Sequence, residues 1–324
     1  MAAGPAAAGA SLSGRDPRDY ERHRLHATDR SYPETNCYAD VIIELLHARG
    51  YEPLAAFGHV VRLDFEGDQW TFFKPPPDDL EALFGIDIHE MQPYRPLPTQ
   101  IAEQLALDRT LIVELDSWWL PDTAATSYRR EHVKTSVAAD WIDPDREALH
   151  YFHGPGLFEL SGADYRGALR LDGTDEDLLP PYTELVRFDA GERLEGEALR
   201  GAALALLRRH LRRRPACNPF ARFGDQLERQ LPVLLDGGLD QYHAYAFATV
   251  RMAGAAFEIA SDHARWLFGD PVADIEAAAR ELVDGCKALS FRLARRRRFD
   301  CRPATAALAD AWERVISGLE RCAA

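Results

Sequence analysis

The chain runs to 324 residues, 46% hydrophobic and 28% charged, the make-up of a globular protein with one large core or two smaller ones. A formal net charge of −14 argues against a general nucleic-acid binder and offers no attraction to an anionic membrane. No apolar run approaches the roughly 18 residues that a membrane span needs.

Residues 1–30 carry Ala, Gly, Pro, Arg and Asp without hydrophobic period and read as a disordered arm. They lack the basic start and apolar stretch of a signal peptide. Thr35 or Asn36 can cap a helix that closes near Gly50 and carries Cys37 in its first turn. Two strands are expected next, 60–63 and 70–73, joined by a loop containing Gly67. Pro75-Pro76-Pro77 then stops either kind of structure. Short helices follow over 78–84 and 98–107, and the apolar run 110–116 reads as a central strand. A strand from His132 or Lys134 to Trp141 and another over 148–153 make a hairpin about Asp143-Pro144-Asp145. Residues 31–171 thus form an α+β domain, a helix with an antiparallel sheet. The acidic, Pro-containing stretch 172–194 reads as a linker. Beyond it, 195–324 is an all-α bundle, with helices expected at 195–213, 219–235, 239–267, 271–297 and 303–322.

The five cysteines, Cys37, Cys217, Cys286, Cys301 and Cys322, are odd in number, scattered and without a C-x-x-C pair. That fits neither a disulfide framework nor a zinc site, and it points to a reducing cytoplasm. Only Cys37 stands among other residues with chemical potential. At a helix start, free backbone N–H groups and the helix dipole favour a thiolate, which is how papain-like folds present a nucleophile. The alternative is a thiol packed in the core. His132, where a loop enters a strand, is the candidate base; the alternative is a surface histidine in a charged loop. Other features favour plain readings. His150 and His153 point to opposite faces of one strand and make a poor metal pair. Arg208 to Arg214 and Arg295 to Arg298 suit helix C-termini, or else dock an acidic partner. His243 and Arg251 can contact substrate or be satisfied polar groups of the bundle. Nucleotide, zinc-protease and serine-hydrolase motifs are absent from the sequence.

The runs Asp64-Phe65-Glu66-Gly67-Asp68-Gln69-Trp70-Thr71-Phe72-Phe73-Lys74, Leu120-Pro121-Asp122-Thr123, His132-Val133-Lys134-Thr135 and Tyr151-Phe152-His153 resemble domain-of-unknown-function family 1839. Its members are often encoded near amino acid:carrier-protein ligases. The order of Cys, Leu-Pro loop and His also makes the N-terminal half similar to butirosin-type acyltransferases, which have a papain-like fold. The resemblance implies a cytoplasmic Cys–His acyl- or aminoacyltransferase in a biosynthetic pathway. Its donor would be the phosphopantetheine thioester of an acyl or aminoacyl carrier protein, and its acceptor a small amine, hydroxyl or thiol. No bound cofactor or metal, nucleic acid or membrane enters this expectation. Cys37 would be the nucleophile and His132 the base, with the Cys37 N–H and Asn36 or Gln69 stabilising the oxyanion. The residue steadying His132 is open among Asp116, Asp143, Asp145 and His153. The family pattern tends to an asparagine after Tyr-Phe-His where this chain has Gly154, which removes one such group. Trp70, Trp118 and Tyr151 are candidate walls for the substrate. Two other readings stay open: a thioesterase or amidase of the same fold using water, and a non-catalytic carrier-binding partner.

Overall fold

The protein is described by a computed structural model over residues 9–172 and 179–324. They form two compact units that alternate along the chain. The first takes 9–27, 36–53 and 80–193, and the second takes 28–35, 54–79 and 194–324. All five cysteines are free. Among the described residues no helix is long and apolar enough to cross a membrane.

The first unit is α+β. Its strands are β1 (Asp87–Glu90), β2 (Arg109–Asp116), β3 (Lys134–Asp143), β4 (Ala148–His153), β5 (Gly156–Ser161) and β6 (Thr183–Arg187). They build one antiparallel sheet in the order β1-β6-β2-β3-β4-β5. The stretch expected as a linker therefore contains a strand, and an interior one. Thr183-Glu184-Leu185-Val186-Arg187 shows no alternation of apolar and polar residues, and its burial does not alternate either, so the sequence carries no strand signal there. Residues 173–178 of that stretch lie outside the described residues. The β3–β4 turn forms as expected: Asp143 Oδ1 accepts the backbone N–H groups of Asp145 and Arg146, both at 3.1 Å.

Helix α1 (Cys37–Ala48) packs on β3 and β4. Its Asp40 and Glu44 are buried, and a buried carboxylate must find donors. Residues from 9 to 27, expected to be loose, supply them. Tyr20 Oη donates to Glu44 Oε2 at 2.5 Å, the His23 N–H to Oε1 at 3.0 Å, and the His26 ring contacts both Glu44 and Asp40. Further out, the Leu12 N–H donates to the Asp140 carbonyl and the Ser13 N–H to its carboxylate.

In the second unit the expected strands 60–63 and 70–73 do not form. Residues Pro53–Arg62 wind as 3₁₀ turns, and only an isolated bridge joins Phe65 to Trp70. The run Leu54-Ala55-Ala56-Phe57 is buried without interruption, followed by Val60 and Val61, a pattern that alternation cannot produce. Phe65 and Trp70 pack on Phe223, and Trp70 also lies 4.6 Å from Phe220 between ring centres. After the short helices α2 (Pro77–Phe84), α3 (Leu97–Leu105) and α4 (Gly162–Ala168), the helices of this unit are α5 (Gly196–Leu211), α6 (Pro219–Asp236), α7 (Leu239–Ala246), α8 (Met252–Phe268), α9 (Ala273–Ala294) and α10 (Arg302–Ala323). Helix α9 packs on α8 and α10, and α10 also on α6. The expected helix 239–267 is interrupted by a π turn at Phe247–Arg251. The widened turn frees the Ala248 carbonyl, which accepts the Trp70 N–H at 3.2 Å.

Candidate functional site

Cys37 opens α1. Asn36 caps the helix through Oδ1, which accepts the Tyr38 and Ala39 N–H groups at 3.1 and 3.0 Å, while its carbonyl accepts the Asp40 N–H. The Cys37 N–H is the first-turn amide that this cap does not take. The half-buried Cys37 Sγ lies 3.7 Å from Ser136 Oγ on β3.

Strand register decides what shares that face. Glu114 opposes Ser136, and Asp116 opposes Lys134, so these four side chains project to one side of the sheet. Lys134 Nζ pairs there with Glu114 Oε1 at 2.6 Å. Asp116 ends β2 with two tasks. Its Oδ1 accepts the Trp118 N–H at 3.0 Å and caps the turn Ser117–Trp119, and its Oδ2 accepts from His132 Nδ1 at 2.6 Å. Trp118 stacks on the His132 ring, 4.6 Å between centres and 9° from parallel. The carboxylate selects the Nδ1–H tautomer and leaves Nε2 as the acceptor. The imidazole side chain is 70% exposed, beside a cleft of about 540 Å³ that Glu114, Lys134, Arg170 and Tyr182 also line.

Of the four groups considered for steadying His132, Asp116 is the one in contact. Asp143 and Asp145 sit at the far end of β3, roughly 30 Å away at strand spacing, and Asp143 is spent on its turn. His153 belongs to a different network on the opposite face. Its Nδ1 meets Asp122 Oδ2 at 2.5 Å, its Nε2 meets Thr135 Oγ1 at 2.7 Å, and Tyr151 Oη donates to Asp122 Oδ1. Burial and the Asp122 charge push the Tyr151 phenol far above its ordinary range, so it stays a donor. Tyr151 is fully buried, so it is part of the core rather than a cleft wall. Asp122 lies inside the run Leu120-Pro121-Asp122-Thr123, Thr135 ends His132-Val133-Lys134-Thr135, and Tyr151 and His153 bracket Tyr151-Phe152-His153.

Cys37 and His132 share no hydrogen bond. Ser136, the neighbour of Cys37, lies four residues along the chain from His132, roughly 13 Å in an extended strand. Gln69 and Trp70 belong to the second unit. Gln69 is exposed at the turn closed by the Phe65–Trp70 bridge, its carbonyl accepting the Glu66 N–H. Trp70, expected as a substrate wall, is only 3% exposed and is a core residue. Among the described residues no group of three or more His, Cys, Asp and Glu is arranged to hold a metal ion.

No curated protein matches the chain. The model of the DUF1839 N-terminal domain matches residues 21–188, and that of the DUF1839 C-terminal domain matches 196–321. With nearly all of its length covered by these two matches, the chain belongs to the DUF1839 family.

Proposed function

We propose that the protein is an acyl- or aminoacyltransferase. It accepts an acyl group from a carrier-protein phosphopantetheine thioester onto Cys37 and passes it to an amine, hydroxyl or thiol. The observation that carries this reading is the Asp116–His132 hydrogen bond, on the sheet face over which α1 sets Cys37. An imidazole held at Nδ1 by a carboxylate is a prepared base at Nε2.

In the first half-reaction the Cys37 thiolate attacks the thioester carbonyl. The carbon–sulfur bond to the carrier breaks, and the departing thiolate takes a proton from the imidazolium. In the second, the acceptor attacks the Cys37 thioester, His132 Nε2 receives its proton, and Cys37 leaves as thiolate. The Cys37 N–H, left open by the Asn36 cap, faces the developing oxyanion. Both steps need the exposed His132 ring to leave its Trp118 stack and close on Cys37.

The test is incubation with an aminoacyl-loaded carrier protein, followed by intact mass. The expected result is one acyl adduct on wild type and none on Cys37→Ala, which also loses transfer. A wild type without adduct, together with a Cys37→Ala that keeps full transfer, sinks the reading. Free acid released without an added amine makes the enzyme a hydrolase. Carrier binding without turnover, unchanged in Cys37→Ala/His132→Ala, makes it a binding partner.

A further inference from the structure

The helical unit holds a cavity of about 550 Å³, within the size range of small-molecule sites. One side is built by the segment Ser31-Tyr32-Pro33-Glu34, fixed where Glu258 accepts the Ser31 and Tyr32 N–H groups at 3.0 and 2.8 Å. The other side comes from α7, the π turn and α9, through Tyr242, Ala246, Phe247, Arg251 and Ser290. Tyr242 Oη is held by Ser290 at 3.0 Å, so this wall is set before any ligand arrives.

Its charged groups are poorly spent on one another. Arg251 ends the π turn, a backbone irregularity that recurs at functional sites. Its Nη2 lies 3.9 Å from Glu34 Oε2 and 3.5 Å from the Glu34 carbonyl, a loose pair with both side chains about half exposed. Arg251 Nε and Tyr32 Oη are buried and have no hydrogen-bond partner among the described residues. Burial pushes the Tyr32 phenol well above its ordinary range, so it remains a donor at neutral pH. Both atoms are closed off from solvent, so the part of Arg251 open to a ligand is the guanidinium end that Glu34 holds only loosely.

A carboxylate supplies acceptors in the planar, two-oxygen form that a guanidinium matches best. A plain carboxylate would also meet the repulsion of Glu34. A ligand with an ammonium next to its carboxylate turns that repulsion into a second contact. Ala246 and Phe247 give the rest of the ligand an apolar wall. We propose that this cavity binds a free α-amino acid with an apolar side chain, its carboxylate on the Arg251 guanidinium and its ammonium on Glu34. The site does not depend on chemistry at Cys37.

Calorimetric titration of the full chain, wild type and Cys37→Ala alike, tests it. The probes are L-leucine and L-phenylalanine, and the comparators are 4-methylpentanoate, which lacks the ammonium, and 3-methylbutylamine, which lacks the carboxylate. Saturable binding of the amino acids is expected, with each comparator and Arg251→Gln weaker by about tenfold or more. Glu34→Gln should weaken L-leucine while strengthening 4-methylpentanoate, a reversal that loss of structure cannot imitate. Glu34 is exposed, so this variant serves even if Arg251→Gln fails to fold. No heat with either amino acid, equal affinity for the comparators, or an unchanged Glu34→Gln overturns the proposal. Because Cys37→Ala should bind like wild type, failure of acyl transfer and failure of this site are separate results.

Discussion

His132 shows how much one neighbour decides. Asp116 holds its Nδ1, and Trp118 stacks on the resting ring. Asp116→Asn should therefore lower the rate of transfer by about 10²-fold or more, since the amide can also present the wrong atom and the wrong tautomer. The acyl adduct on Cys37 should still form slowly, and rapid-quench intact mass separates the two steps. Equal rates for wild type and Asp116→Asn would remove His132 from the chemistry. On the opposite face, Asp122 accepts from both Tyr151 and His153. Asp122→Ala leaves the buried phenol without its acceptor, a loss of about 1–3 kcal/mol that urea melts would show. The sequence made Cys37 and His132 visible as residue types in a suggestive order. It could not choose among Asp116, Asp143, Asp145 and His153, because strand register and sheet face make that choice.

Among elements, α1 is the one that sequence rules describe best. Asn36 has the extended backbone and side-chain bonds of an N-cap, so Asn36→Ala should cost about 1 kcal/mol of stability in a thermal melt. The long helix expected over 239–267 follows apolar period correctly on both sides of Phe247–Arg251, yet period gives no warning of an inserted residue. Within α8, Gly254 has a clear reason. A Cβ there would lie 2.5 Å from Tyr32 Cε2, so Gly254→Ala must displace the ring. A destabilisation of about 1–3 kcal/mol is expected in urea melts, together with weaker amino-acid binding in the cavity that Tyr32 lines. Residues 60–73 mislead because Val, Phe and Trp suit a strand and an irregular loop anchored at Val60, Phe65 and Trp70 equally well. Their partners, such as Phe220 and Phe223, come from far along the chain.

At the scale of the molecule, the two units answer pH in opposite senses. Burial lowers His59 and His263 of the second unit to about 4 each, only partly offset by backbone bonds to Ala56 and Leu54. A neutral ring is thus favoured on folding. That stability is complete above the unfolded value near 6.5 and is lost as pH falls toward 4. In the first unit burial opposes charge on His26, but hydrogen bonds to Asp40 and Glu44 outweigh it and raise it to about 9. That contribution is complete below 6.5 and is lost as pH rises through 9. Each full loss is on the order of 3 kcal/mol. Hydrogen exchange should show helices such as α8 losing protection first in acid and α1 losing it first in alkali. The reverse order would refute both assignments.

By itself the sequence determined the class of each half, the helix that begins at Cys37, the β3–β4 hairpin and most helix bounds. These follow from local period, caps and turn chemistry, which neighbouring residues settle among themselves. Tertiary structure alone decided that 28–35 and 54–79 belong with the helices, that the supposed linker holds β6, and that the 9–27 segment serves Asp40 and Glu44. It also decided that His132 turns to Asp116 while His153 turns to Asp122. Each of these depends on a partner distant in sequence, and a buried polar or aromatic group does not reveal that partner until the chain has folded around it.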